Sequence, residues 1–207
     1  MQSDLTIRST TPADSEPAAE LIHLSGPDIY RNLLGREERR ALQITRTVFR
    51  VPAALISFDN TTVAERNGRL AALMLCYDKQ IENAQGLRYL REVKRALPPW
   101  PFLLSFLYML LMRFMVRPMK RDSWFCSVIA VAPEIQGGGI GTVMLNEMCA
   151  QARNRGLKQL EADVEIGHDR ALRFYQKNGW KIIATRRSGI LRRFLGFAGY
   201  YRIECGL

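Results

Sequence analysis

Six residues, Gln136-Gly137-Gly138-Gly139-Ile140-Gly141, constrain this chain more tightly than any other stretch. An apolar strand-like run, Trp124–Val131, precedes them; Thr142–Arg155 follows with helical periodicity and stops at Gly156. A strand that enters a helix through such a turn leaves the first helical amides without intrahelical partners, and the helix dipole adds positive potential there. Such an end binds anions, phosphates above all. Gly137, Gly138 and Gly139 carry no side chain to hold a phosphate away, and Gly141 permits close approach within the first turn. Each charge–dipole contact contributes on the order of 0.3–1 kcal/mol, so anchoring a cofactor takes several. Other glycine motifs fit less well. A dinucleotide fingerprint needs G-x-G-x-x-G, and the spacing here is wrong although Glu161 and Asp163 fall at a suitable distance. A P-loop needs Gly-Lys-Ser/Thr, whereas Thr142 follows Gly141 directly. An unliganded glycine loop explains the glycines but neither the strand before them nor the helix after.

The remaining pattern is α/β. Leu5–Ser9 alternates as a half-buried strand, and Thr11-Pro12-Ala13-Asp14 opens a helix with Ala18, Ala19, Leu21 and Ile22 on one face. Gly35–Phe49 predicts a second helix whose solvated face includes Arg36–Arg40. Leu55–Glu65 and Leu70–Tyr77 predict a hairpin around Asn67-Gly68, the second run apolar enough for a strand covered on both faces. After the glycine turn come a strand at Gln159–Glu165, a short helix at Asp169–Lys177 ending at Asn178-Gly179, and strands at Trp180–Thr185 and Tyr200–Cys205. A length of 207 residues suits one domain over 1–207, and 47% hydrophobic with 24% charged residues argues against a disordered chain. Cys76, Cys126, Cys149 and Cys205 are scattered, with no CxxC pair and no Cys/His cluster, so reduced thiols and no metal are expected. Met1-Gln2-Ser3-Asp4 lacks the basic-then-apolar order of a signal peptide, and a cytoplasmic location is the expectation.

The net charge of +10 is uneven. Residues 79–121 carry nine basic and two acidic side chains, against a net −1 before them and +4 after. Ile81–Leu97 predicts a basic helix with Arg88, Arg91, Lys94 and Arg95 close together; Pro98-Pro99-Trp100-Pro101 stops it. Phe102–Val116 is then apolar on every side of a helix, and with 15 residues and Arg113 inside it falls short of the roughly 20 needed to span a bilayer. Two readings stay open for 98–121: burial against the sheet or a second subunit, as in a homodimer, and peripheral contact with an anionic membrane surface. Nucleic acid fits poorly, because the aromatics are mixed with aliphatics instead of forming a stacking platform.

Two runs carry a family resemblance. Val131–Leu145 resembles the acetyl-coenzyme A motif of the GNAT N-acetyltransferases, Arg/Gln-x-x-Gly-x-Gly/Ala, with Gln136, Gly139 and Gly141 at its fixed positions. At the expected distance Ala171-Leu172-Arg173-Phe174-Tyr175-Gln176-Lys177-Asn178-Gly179-Trp180 resembles the family's A-x-x-[FL]-Y-x-x-x-G-[FW]. The firm match covers about residues 122–185. It implies a mixed, mostly antiparallel sheet flanked by helices, whose fourth and fifth strands (here 124–131 and 159–165) splay to admit the pantetheine arm. It further implies acetyl-CoA as co-substrate. Backbone groups of Ile129, Ala130 and Val131 would pair with the pantetheine, while Gln136 and the amides of Gly137, Gly138, Gly139, Ile140, Gly141 and Thr142 would take the pyrophosphate. The family commonly has asparagine where this chain has His168, so the cofactor contact there becomes an imidazole's, unless His168 acts as a base or only caps the next helix.

The implied activity is transfer of an acetyl or short acyl group to a primary amine, on a small molecule or peptide, by direct attack in a ternary complex. An amine with pKa about 10.4 is almost wholly protonated at pH 7, so the site must accept a proton. The departing thiol resembles cysteine's, and a neutral phenol suffices to protonate it. Tyr175 matches the family's tyrosine and is the candidate general acid. Glu165 is the candidate base, with Asp163, Asp122, His168 or an ordered water as alternatives. Glu161, Asp163 and Glu165 alternate onto one face, which reads as partly solvated. A rival reading is an acyl-CoA-sensing module of the same shape, acting through 79–121.

Overall fold

A computed structural model describes residues 5–35, 37–189 and 192–207, so Arg36 of the second expected helix lies outside the described residues. Its sheet contains β1 (Leu5–Ser9), β2 (Thr61–Arg66), β3 (Arg69–Tyr77), β4 (Ser123–Val131), β5 (Gln159–Glu165), β6 (Lys181–Arg187) and β7 (Gly199–Gly206), in the spatial order β1-β2-β3-β4-β5-β7-β6. All neighbours are antiparallel except β4 and β5. The helices are α1 (Ser15–Ser25), α2 (Pro27–Leu34), α3 (Glu38–Phe49), α4 (Lys79–Ala96), α5 (Pro99–Met115), α6 (Ile140–Asn154), α7 (Asp169–Lys177) and the short α8 (Arg192–Leu195).

β3 shows how the sequence builds two hydrophobic layers. Successive side chains of a strand point to opposite faces, and both sets here are apolar. Leu73, Leu75 and Tyr77 enter the core beneath α1–α5, whereas Ala72, Met74 and Cys76 enter the core beneath α6, with Met144, Met148 and Trp180. The Asn67-Gly68 turn joins β2 to β3 with both residues at positive φ, as the dipeptide predicts.

Three expectations change. The strand over Leu55–Glu65 shortens to Thr61–Arg66, because Asp59 and Asn60 cap a tight turn instead. The Asp59 carboxylate accepts from the Ala53 amide at 2.6 Å, and Asn60 Nδ2 donates to the Ala54 and Leu55 carbonyls. An additional helix, α2, starts at Pro27, where proline loses no bond in the first turn, and it buries Tyr30, Leu33 and Leu34. The acidic face of β5 is largely covered, with Glu165 left partly exposed. Glu161 is fully buried, accepting from the Lys120 amide and the Ser123 hydroxyl, and Asp163 makes a two-pronged ion pair with buried Arg202 at 2.6 and 2.9 Å.

β4 and β5 pair only from Ser123↔Gln159 to Cys126↔Ala162. Beyond that point the strands separate. The register of β4 against β3 jumps at the same place, Cys76 facing Cys126 while Leu75 faces Val128, so Ser127 is an extra, bulged residue. A bulge bends its strand and sharpens its twist, which turns the C-terminal half of β4 away from β5. The slot expected between the fourth and fifth strands opens here.

Candidate active site

The slot is lined by two cavities that share a wall. The larger, about 690 Å³, runs past Ile129, Ala130 and Val131 of β4, the glycine turn, and the start of α7. The smaller, about 110 Å³, lies between Ser127 and Val128 of β4, Asp163–Glu165 of β5, Ile29 and Tyr30 of α2, and Tyr200. Ser25, Ile129, His168, Ala171 and Tyr175 line both.

The glycine turn has the form an anion needs. Gly139 is the N-cap of α6 in the left-handed conformation, and Gly137 also has positive φ. A Cβ placed on either would meet nothing within 4 Å, so the space beside them is open. Among the described residues the amides of Gly137, Gly138, Gly139, Ile140 and Gly141 donate to no protein acceptor. Four of these donors, those of Gly137, Gly139, Ile140 and Gly141, line the cavity, and around the dipole of a 15-residue helix they fit a diphosphate. Three details differ from the sequence reading. The Thr142 amide already donates to the Gly139 carbonyl at 3.0 Å; Thr142 lines the cavity without a free main-chain donor. Gly138 does not line the cavity. Gly141 serves packing: a Cβ there would lie 3.0 Å from the Phe174 ring, so glycine lets α6 approach α7. Gln136 steadies the turn by donating from Nε2 to the Val131 carbonyl at 2.9 Å.

Tyr175 stands where the cavities meet. It is buried, with its ring edge against Trp180 at 5.0 Å. Burial first, and then the neighbouring Cys126 and Cys76 thiols, hold its phenol well above the usual pKa, so it remains neutral and able to donate a proton. Glu165 is half-buried in the smaller cavity, and its carboxylate has no hydrogen bond or ion pair to another described residue. Burial raises its pKa, His168 pulls the other way, and Asp28 adds a smaller upward push. His168 is the exposed N-cap residue of α7, but its side chain makes no capping bond. Asp163, although it lines the smaller cavity, is tied to Arg202. Asp122 accepts from Gln159 Nε2 at 2.9 Å, at the end of β4 where β5 is still paired, and lines neither cavity. His23 stacks on Tyr30 and bonds Thr45, a packing role.

Ser127, Tyr30, Tyr200 and the cavity-lining Arg170 escaped the sequence reading. Only Arg170 had a legible signal, a cation beside the start of the short helix after β5. The others reach the slot through a bulge and through helix packing, neither of which has a motif. Among the described residues no group of three or more His, Cys, Asp or Glu is placed to hold a metal.

The family model described as Acetyltransferase (GNAT) family matches residues 36–180. The chain belongs to the GNAT acetyltransferase family. GNAT acetyltransferases use acetyl-CoA, and the open glycine turn with its free amides fits that co-substrate. Solved structures similar to this GNAT chain include an N-acetyltransferase from Staphylococcus aureus Mu50, 17% identical with TM-score 0.71, over 97% of this chain and 100% of that one. A GNAT family acetyltransferase from Elizabethkingia anophelis with acetyl-CoA bound is 15% identical with TM-score 0.58, covering 100% of both chains. The ribosomal-protein-S18-alanine N-acetyltransferase from Escherichia coli is 16% identical with TM-score 0.54, over 98% of this chain and 93% of that one. At these identities the likeness is one of fold. No curated protein matches the sequence.

Proposed function

We propose that this GNAT protein is an N-acyltransferase that moves an acetyl or short acyl group from acetyl-CoA to a primary amine, by direct attack in a ternary complex. The observation that carries this reading is the meeting of the two cavities at Tyr175. Donors for a diphosphate lie at one end of the slot, an unpaired carboxylate lies at the other, and a neutral phenol stands between them.

The co-substrate supplies the activated acyl group as a thioester. Main-chain groups of Ile129, Ala130 and Val131 orient its arm along the half of β4 that β5 leaves unpaired, and the amides of Gly137, Gly139, Ile140 and Gly141 hold its diphosphate. Glu165, directly or through a water, accepts the proton the amine must lose. A carboxylate whose pKa is raised is a better base for that task than an exposed one. Tyr175 donates its proton to the departing sulfur. With no carboxylate partner of its own, His168 lines both cavities, serves as a cofactor contact in place of the family's asparagine, and shifts the charge on Glu165. The amine acceptor enters through the smaller cavity, beside Tyr30, Tyr200 and Ser127.

Thiol release measured against a panel of small amines and amine-bearing peptides tests the reading. Tyr175→Phe is expected to lower kcat about 10²–10⁴-fold while leaving affinity for CoA within a factor of two or so. Glu165→Gln is expected to remove the acid limb of kcat/KM, which lies above the ordinary carboxylate range. No thiol release from the wild type with any amine sinks the proposal; a Tyr175→Phe protein as active as wild type removes that residue's role.

A further inference from the structure

α5 is apolar on all sides, yet only half of it is covered. Ser105 and Tyr108 face inward, where the helix packs against α2. On the opposite side Trp100, Leu103, Leu104, Leu107, Leu110 and Phe114 are 43–77% exposed. Scattered exposed apolar residues are ordinary, but six on one side of one helix are contiguous, and contiguous patches mark contact surfaces. Residues 93–121 contain no aspartate or glutamate. They do contain Lys94 at the end of α4 and Arg113, Arg117 and Arg121 at and beyond the end of α5, all exposed and without a carboxylate partner among the described residues.

We propose that this surface docks on an anionic lipid membrane, with α5 lying in the interfacial plane. Charge decides between the occupants. A two-fold dimer sets a patch against itself, and here that would bring cation to cation with no acidic residue in the segment to meet them. An anionic bilayer offers the opposite charge at the flanks and hydrocarbon beneath the ridge, which is the pairing that amphipathic surface helices use. At 17 residues the helix is about 25 Å long, too short to cross a bilayer core of about 30 Å. No described helix is long and apolar enough to cross a membrane. Its buried half stays on the core while its exposed half enters the headgroup region. The surface adjoins the acyl-acceptor side of the slot, because α2 both carries α5 and lines the smaller cavity. The docking itself does not depend on the transferase reading.

Co-sedimentation of the full chain with vesicles is the test. Binding is expected to phosphatidylcholine vesicles containing about a third phosphatidylserine and not to phosphatidylcholine alone, and to weaken when salt rises from about 0.1 to 0.5 M. Leu107→Glu with Leu110→Glu is expected to lower binding at least tenfold, and Arg113→Gln with Arg117→Gln about fivefold per arginine removed. CoA-dependent thermal stabilisation, read on the same variants, should be unchanged and certifies that they fold. Should the leucine pair fail to fold, the arginine pair decides alone. Five results overturn the proposal: no binding to anionic vesicles, equal binding to neutral ones, binding that persists unchanged in the folded leucine variant, binding that persists unchanged in the arginine variant, or a stable dimer in sedimentation equilibrium that hides the ridge.

Discussion

At the scale of single residues, two glycines that look alike in the sequence do different work. Gly139 sits at φ 79° beside open space, and Gly141 sits under the Phe174 ring. Gly139→Ala is expected to cost about 1–2 kcal/mol of stability from its left-handed backbone and, more sharply, to weaken CoA binding, since its methyl group points where the diphosphate is expected. Gly141→Ala is expected to act mainly on stability as Phe174 gives way. Melting curves with and without CoA separate the two. His23 makes a pH prediction. Burial lowers its pKa to about 4 from an ordinary 6.5, so between those values the unfolded chain binds a proton that the folded one refuses. Stability is complete above pH 6.5 and declines as pH falls towards 4. The linkage ceiling is about 3 kcal/mol, and partial exposure of the ring reduces it to roughly 1–2 kcal/mol. Urea midpoints across that range check it, and His23→Gln should flatten the profile.

The elements around β5 owe their arrangement to a buried charge cluster. Arg202 of β7 binds Asp163, lies 3.5 Å from Glu161, and donates to the Arg117 carbonyl at 2.6 Å, tying the connection between α5 and β4 to the sheet. Removing one partner from such a cluster leaves uncompensated charge in the interior. Arg202→Ala is therefore expected to cost about 3–5 kcal/mol in denaturant unfolding, with a further loss of activity because Asp163 stands beside the smaller cavity. Alternation along β5 gave the shared face of these three carboxylates correctly but could not show that α5's connection covers it. The bulge at Ser127 was equally hidden. Nothing in Trp124–Val131 marks an extra residue, since a bulge is defined only against the neighbouring strand. α2 was overlooked because eight residues are too few for a periodic signal to stand out.

For the whole molecule, a co-substrate that binds only the folded state must raise stability by mass action. CoA at about 100 times its Kd should add about 2.7 kcal/mol, or roughly 5–10 °C in melting temperature for a chain of this size, and the Gly139→Ala protein should lose most of that shift. The order of the strands, the α/β class and the position of the glycine turn were legible in the chain alone, because each depends on residues close in sequence: apolar alternation, caps, and clustered glycines. The two GNAT motifs extended that reading to the family. Only the tertiary structure decided which carboxylate stands unpaired in the slot, which glycine serves packing, and that half of α5 faces outward. Those outcomes depend on what a side chain meets from a distant element, and periodicity records only which side it points to.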